Sequence, residues 1–382
     1  MINNMATPMI RRLCMNFGRL TYPVLKSAST QRVLKCASTS IRNVCRSKVA
    51  SATGTGLGIS YALLGFSFGK KAEKESDPLT ETYREARLAH VRQDLQRADE
   101  LYHEALKLAD DMLKTEQITA DKHLTARTLM YDGLADIAMQ TGQMEPAEAL
   151  YKETMKGCFQ QGLAQDHNVI IEISLKLASI YAMQGKKTEA EEGYKFCVAM
   201  QTPKMAAREK QWVDSDGKKK KVHKMDLSKE ALAETEQDTA VLLGMSLGSY
   251  GRFLMYEKRY QEALPLFERA RVYAKNTMGM DTNQYVVILN DIATLFIVTK
   301  NFDKAENVLK EGIDISEKAK LPEAAVLHCN MGALNLRRGE VTQAMKSCQQ
   351  GLECAKKFDH KLAYRMAEAC LKKGASVEAK SS

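Results

Sequence analysis

The sequence predicts an all-α solenoid built from stacked helix-turn-helix units. Three observations carry that expectation. A short pattern of small and large apolar residues recurs along the chain at helical spacing. It recurs six times, which a single fortuitous match would not do. Proline is scarce, at 7 of 382 residues, and helix formers fill the stretches between the repeats. A solenoid also suits this length, because each unit packs only on its neighbours and no single large core is required.

The pattern is clearest at Leu177-Ala178-Ser179-Ile180-Tyr181, followed by Gly185, Ala190 and Tyr194. An apolar helix meets a tight turn at Gln184-Gly185-Lys186, and a second helix returns with Ala190 and Tyr194 on its inner face. Upstream the same order reads Leu134-Ala135, Ala138, Gly142, Ala147, Tyr151. Downstream it reads Tyr250-Gly251, Leu254, Ala263, Phe267, Ala270, then Ile292-Ala293, Phe296, Ala305, Leu309, then Met331-Gly332, Gly339, Ala344. A degenerate first copy runs through Ala86, Ala89, Ala98, Tyr102 and Ala105. These residues resemble the tetratricopeptide repeat, in which small side chains let two helices approach and a larger one fills the remaining gap. The recurring alanines Ala98, Ala147, Ala190, Ala263, Ala305 and Ala344 are separated by 49, 43, 73, 42 and 39 residues. The usual period is about 34, so the repeats are long, in a way that is similar to kinesin light chains. The widest spacing implies an insertion of about 30 residues, since surplus length in repeat proteins maps to loops. The expected organisation is repeats one to three over 79–200, a basic insertion loop over 201–231, and repeats four to six over 232–357. A capping helix over 358–374, of the kind a solenoid end needs, and a tail over 375–382 complete it.

Charge separates the ends of the chain. The net charge is +9, but residues 1–72 hold eleven basic residues, Arg11 to Lys71, and no acid, so the remainder sums to −2. That placement argues for targeting and against a nucleic-acid-binding body. Residues 1–48 are rich in Arg and Ser and free of acids, the composition of a mitochondrial transit peptide. Residues 49–69 form an uncharged run between Lys48 and Lys70, long enough for a transmembrane helix although glycine-rich. Gly54-xxx-Gly58 and Gly65-xxx-Gly69 would let another membrane helix pack closely. Residues 70–78 read as a linker, and Asp77-Pro78 as a helix start.

No catalytic residues, metal ligands or cofactor site emerge. Gly54-Thr-Gly56-Leu-Gly58 lacks the strand before it and the acid after it that a dinucleotide fold needs, and Gly65 to Lys71 is one residue short of a phosphate-binding loop. Gly244-Met-Ser246-Leu-Gly248 matches a nucleophile elbow in letters but sits within a helical pattern. Asp214-Ser-Asp216-Gly217 lacks the remaining acids of a calcium loop. The nine cysteines are dispersed without a CxxC pair and read as buried, reduced thiols. The seven histidines have no companion at recognisable spacing. Small-molecule turnover is therefore not expected, and binding is.

In tetratricopeptide arrays the concave face is built by the first helix of each pair. Carried over position by position, the resemblance implies groove residues Asp132, Asp136, Ser179, Arg252, Asn290 and Thr294, with Asn290 placed to grip a peptide backbone. The first two repeats carry Tyr83, Arg87, Gly133 and Asp136 where a chaperone-binding clamp needs Lys and Asn, so a chaperone C-terminus is not the expected ligand. In the insertion, Trp212 with Lys218, Lys219, Lys220 and Lys221 forms a second candidate contact, toward an acidic partner or anionic lipid.

The order of leader, apolar run, linker and six interrupted long repeats resembles the mitochondrial tetratricopeptide-repeat factors of respiratory complex III. That resemblance implies a non-enzymatic scaffold in the inner mitochondrial membrane. It would bind the cytochrome bc1 complex and support its assembly or maintenance, through the Rieske iron–sulfur subunit and clearance of its fragments. Basic residues before the apolar run favour a matrix-side N-terminus, with the repeats in the intermembrane space. Two other readings are an import or quality-control receptor for many peptides, and a cytosolic cargo adaptor of the kinesin light chain type. The second calls for an N-terminal heptad coiled coil, which residues 1–78 do not contain.

Overall fold

The computed structural model describes residues 77–212 and 234–381, and every regular element among them is a helix. The order is α1 (Pro78–Val91), α2 (Leu95–Lys114), α3 (Ala120–Thr141), α4 (Met144–Gln160), α5 (Asn168–Met183), α6 (Lys187–Trp212), α7 (Glu234–Tyr256), α8 (Tyr260–Thr277), α9 (Asn283–Val298), α10 (Phe302–Lys318), α11 (Ala324–Arg338), α12 (Val341–Lys357) and α13 (Lys361–Ser381). Consecutive helices pair as antiparallel hairpins, giving six repeats, and α13 packs on α12 and α11 as the cap. The leader (1–48) and the apolar run (49–69) lie outside the described residues. So do Lys218, Lys219, Lys220 and Lys221. No described helix is long and apolar enough to cross a membrane.

Local chemistry sets the helix ends. The Asp77 carboxylate accepts from Leu79 N at 3.3 Å, with Pro78 in the first turn. Thr119 and Thr282 cap α3 and α9 by accepting from Lys122 N and Tyr285 N. Such side-chain caps satisfy amides that a helix start leaves without partners. Within each repeat the turn between the two helices holds one residue in the left-handed region: Gln93, Gly142, Gly185, Lys258, Lys300 and Gly339, with φ between 62° and 86°. Each of these stands five residues before the recurring alanine. The left-handed conformation costs an L-residue about 1–2 kcal/mol, and glycine avoids it. Lys300 is exposed and has φ of 62°. Lys300→Gly is therefore expected to raise stability by ~0.5–1 kcal/mol, after the extra freedom glycine gives the unfolded chain. A chemical-denaturation midpoint that stays put or falls would refute this.

The six recurring alanines, and Ala86, are completely buried. At these positions the paired helices come too close for anything larger. Gly251 makes the same point more sharply, because a Cβ there would fall 2.7 Å from the Phe267 ring. The larger residues Tyr102, Tyr151, Phe267 and Leu309 are fully buried beside the alanines. The core thus runs as a chain of overlapping apolar clusters from α1 to the end of the array.

Three sequence expectations are corrected. The insertion does not begin at residue 201: α6 continues through Pro203 to Trp212. Met205 is completely buried, and Gln201 is buried against α7, where Ser246 Oγ donates to its Oε1 at 3.3 Å. Packing against the next repeat outweighs the helix-breaking tendency of proline. The tail beyond residue 374 is helical, as α13 runs to Ser381. Two cysteines read as reduced thiols form a disulfide, Cys348 on α12 to Cys370 on α13, with a Cα–Cα distance of 6.2 Å. Cys158, Cys197 and Cys329 are free and buried, and Cys354 is free and half-buried.

Candidate functional site

The first helices of the pairs (α1, α3, α5, α7, α9, α11) touch one another along one side of the array, at α1–α3, α5–α7, α7–α9 and α9–α11. Among the described residues the second helices make no comparable contacts with one another, which puts the first helices on the inner side of the array. Helical spacing puts every third or fourth residue of each first helix on that side, and many of these residues are polar.

Asp132 and Asp136 lie one turn apart on α3 and meet at Lys176 of α5. Lys176 Nζ stands 2.9 Å from Asp136 Oδ1, 3.7 Å from Asp132 Oδ1 and 3.3 Å from Glu172 Oε1. The Tyr151 hydroxyl donates to Asp136, and Lys176 Nζ also lies 5.2 Å from the centre of the Tyr151 ring. Burial raises the Asp132 carboxyl to about 7 against the pull of Lys176. Burial acts the same way on Asp136, but Lys176, His90 and the tyrosine hydroxyl outweigh it and hold that carboxyl below the usual range. His90 on α1 is hydrogen-bonded to Gln140 of α3 at 2.9 Å and lies near enough to Asp136 to help hold that carboxyl low, while burial keeps its own imidazole below the ordinary value. The cluster ties repeats one to three together across the inner face.

The distal half repeats the theme with other residues. Arg252 of α7 donates from Nη1 to Asp291 of α9 at 2.9 Å and from Nη2 to Ser249 at 2.9 Å. Asp291 is buried, and desolvation raises its carboxyl despite the guanidinium. Asn290 Oδ1 accepts from Asn330 Nδ2 of α11 at 2.6 Å, and Thr294 Oγ1 donates to the Asn290 carbonyl at 2.8 Å. Arg337 Nη1 donates to the Ile297 carbonyl at 3.0 Å. Ser179 sits deeper. It is buried, donates to the Leu175 carbonyl at 2.9 Å and accepts from the Tyr194 hydroxyl at 3.2 Å, so its hydroxyl is spent on helix pairing.

The sequence-derived groove residues are thus brought together in pairs, Asp132 with Asp136 and Asn290 with Thr294. Arg252 stands beside the second pair through Asp291, which neighbours Asn290 in sequence. Sequence reading missed Lys176, Asp291, Asn330 and Arg337, although each occupies a first helix at a spacing that faces the preceding repeat. Trp212 ends α6. Among the described residues no group of three or more His, Cys, Asp or Glu is placed to hold a metal ion.

Between α7, the end of α8 and α9 lies a small pocket open to solvent, with a cavity volume of about 60 Å³. Its α7 wall is Val241, Gly244, Met245, Gly248, Ser249 and Arg252, one helix face read at intervals of three and four.

Paired helices closed by small residues, a capping helix and a polar inner face define a tetratricopeptide-repeat solenoid, a class that generally binds proteins rather than acting as an enzyme. Residues 242–318 match the tetratricopeptide repeat family model. The chain belongs to the tetratricopeptide repeat protein 19 family. It is 31% identical to tetratricopeptide repeat protein 19, mitochondrial, of Mus musculus over 288 residues, covering 75% of this chain and 72% of the relative. It is 30% identical to the Homo sapiens protein of the same name, covering 75% and 69%. It is 26% identical to the Drosophila melanogaster homologue, covering 80% and 74%. Among solved structures it is similar to the apo form of RapI, with a TM-score of 0.54 at 14% identity, covering 92% of this chain and 86% of that one. It is also similar to aspartyl phosphate phosphatase F from Bacillus subtilis, with a TM-score of 0.52 at 13% identity, covering 92% and 81%. At such identities these two likenesses concern the fold alone.

Proposed function

We propose that this chain is a non-enzymatic scaffold of the inner mitochondrial membrane that binds the cytochrome bc1 complex and supports its assembly or maintenance. In this reading it acts on the Rieske iron–sulfur subunit and helps clear its fragments. The observation that carries the proposal is kinship with proteins named as mitochondrial, joined to an architecture whose inner face is polar and continuous over six repeats. Residues 1–48 serve as the leader and residues 49–69 as the anchor. The repeats face the intermembrane space. The basic residues before the anchor favour this topology, and so does the Cys348–Cys370 disulfide, since such bonds persist in oxidising compartments.

The test is capture of the endogenous protein from gently solubilised mitochondria, resolved on a native gel. Co-migration with the bc1 dimer, lost on deletion of the repeats, is the expected result. A free protein, or one spread over many clients, would overturn the proposal in favour of a general peptide receptor. Protease treatment of mitoplasts tests the topology: repeats that stay protected until detergent is added would place them in the matrix.

A further inference from the structure

Glycine inside a helix costs roughly 0.5–1 kcal/mol relative to alanine, so each such glycine calls for a reason. At every described helical glycine but one the reason is steric: a Cβ would fall within 3.1 Å of a neighbouring atom. The exception is Gly248. A Cβ there would meet Arg252 Nη1 at 3.7 Å and Ala270 Cβ at 3.9 Å, which is ordinary contact. Packing does not require this glycine, yet it lines the α7–α9 pocket, and a longer side chain at 248 would occupy that space.

The other lining residues describe what fits. Val241, Met245, Met278, Val287 and Ile288 form an apolar wall, and two methionines let it adapt to more than one shape. Among the described residues, Arg252 is the one charged side chain in the lining, and no carboxylate lines the pocket. Two of the five guanidinium N–H groups are engaged, by Asp291 and Ser249. An apolar cleft with a guanidinium in its lining complements an apolar side chain that carries a carboxylate close to it.

Resting on the scaffold reading above and naming a subsite within it, we infer that the α7–α9 pocket seats an apolar side chain of a bound protein segment, with an adjacent carboxylate held by Arg252. Asp291 positions the guanidinium, and Gly248 keeps the seat open.

The probes are N-acetyl-leucine, its amide and octanoate, added to the full chain carrying 13C-methyl methionine. Met245 and Met278 report from inside the pocket. N-acetyl-leucine is expected to shift both methyl signals saturably, and N-acetyl-leucinamide to bind about tenfold more weakly, the worth of one charge-assisted hydrogen bond. Gly248→Leu, whose Cβ the fold accepts, is expected to abolish the response while leaving thermal unfolding within a few degrees. Arg252→Gln should erase the preference for acid over amide. Silence of both methyls, or an unchanged response in Gly248→Leu, overturns the inference. Octanoate binding as tight as N-acetyl-leucine also overturns it, by making the site one for acyl chains. In the native-gel capture, loss of the bc1 complex from the wild-type protein would count against the scaffold reading. Capture that succeeds for wild type and is undiminished in Gly248→Leu would count against this pocket alone.

Discussion

Replacement of Lys176 by methionine is expected to destabilise the repeat array by about 3–5 kcal/mol, the usual effect of removing one member of a buried ionic cluster. The ammonium is shared by Asp132, Asp136 and Glu172. Without it, two carboxylates on adjacent turns of α3 face each other in a poorly hydrated site, and methionine fills the space without answering their charge. Lys176→Arg should retain most of the stability. Pairing Lys176→Met with Asp136→Asn should recover part of the loss, since neighbouring charges couple non-additively. A midpoint shift worth less than about 1 kcal/mol in urea would show that the cluster is hydrated as an ordinary surface pair.

The two aspartates are expected to respond to pH in opposite senses. Asp132 has a folded value raised above its unfolded 3.8, to about 7. The folded state therefore binds the proton more tightly, and the stability this gives is complete below 3.8 and lost as pH rises toward 7. Asp136 is held low, so its contribution is present above the unfolded value and lost as pH falls through the folded one. Asp132→Asn should thus become progressively less costly from pH 4 to pH 8, while Asp136→Asn should remain costly at neutral pH. Parallel stability profiles for the two variants would contradict this assignment. Because the pair shares one lysine, the measured midpoints belong to the cluster rather than to either residue alone.

The repeat alanines were legible because burial at a helix crossing admits few residue types, and six such crossings leave a period in the sequence. The turns were legible only in part. Gly142, Gly185 and Gly339 announce a left-handed residue, but Gln93, Lys258 and Lys300 adopt the same conformation without any compositional sign. Asp132, Asp136, Arg252 and Asn290 could be placed on the inner face by position. Their partners could not, because the match of Lys176 to α3 or of Asp291 to α7 depends on the offset between consecutive repeats, which the sequence does not encode locally. Pro203 misled for a related reason: its local penalty is visible, whereas the burial of Gln201 and Met205 beyond it belongs to the tertiary fold.

Loss of the Cys348–Cys370 bond is expected to loosen the C-terminal end of the array by ~3 kcal/mol, as for a loop of about twenty residues. The bond joins helices whose cysteines are 22 residues apart in sequence, a separation at which no short motif betrays the pairing. Cys348 is completely buried, and both sulfurs lie against Gly332 of α11, where any Cβ would strike them. Gly332, the first small residue of the last repeat's pattern, therefore makes room for the cross-link. Among the described residues the helix it secures, α13, packs chiefly on α12 and α11, so its release is a local opening rather than global unfolding. Hydrogen exchange with and without a reductant should show α13 amides, and the α11 and α12 amides beneath them, exchanging roughly a hundredfold faster on reduction. Amides of α1 to α6 should be unaffected, because a solenoid transmits stability only through adjacent repeats. A Cys348→Ala and Cys370→Ala double variant should reproduce the reduced pattern without added reductant. Equal exchange in the two redox states would mean that the apolar contacts of Ala363 and Ala367, both completely buried, hold the cap by themselves.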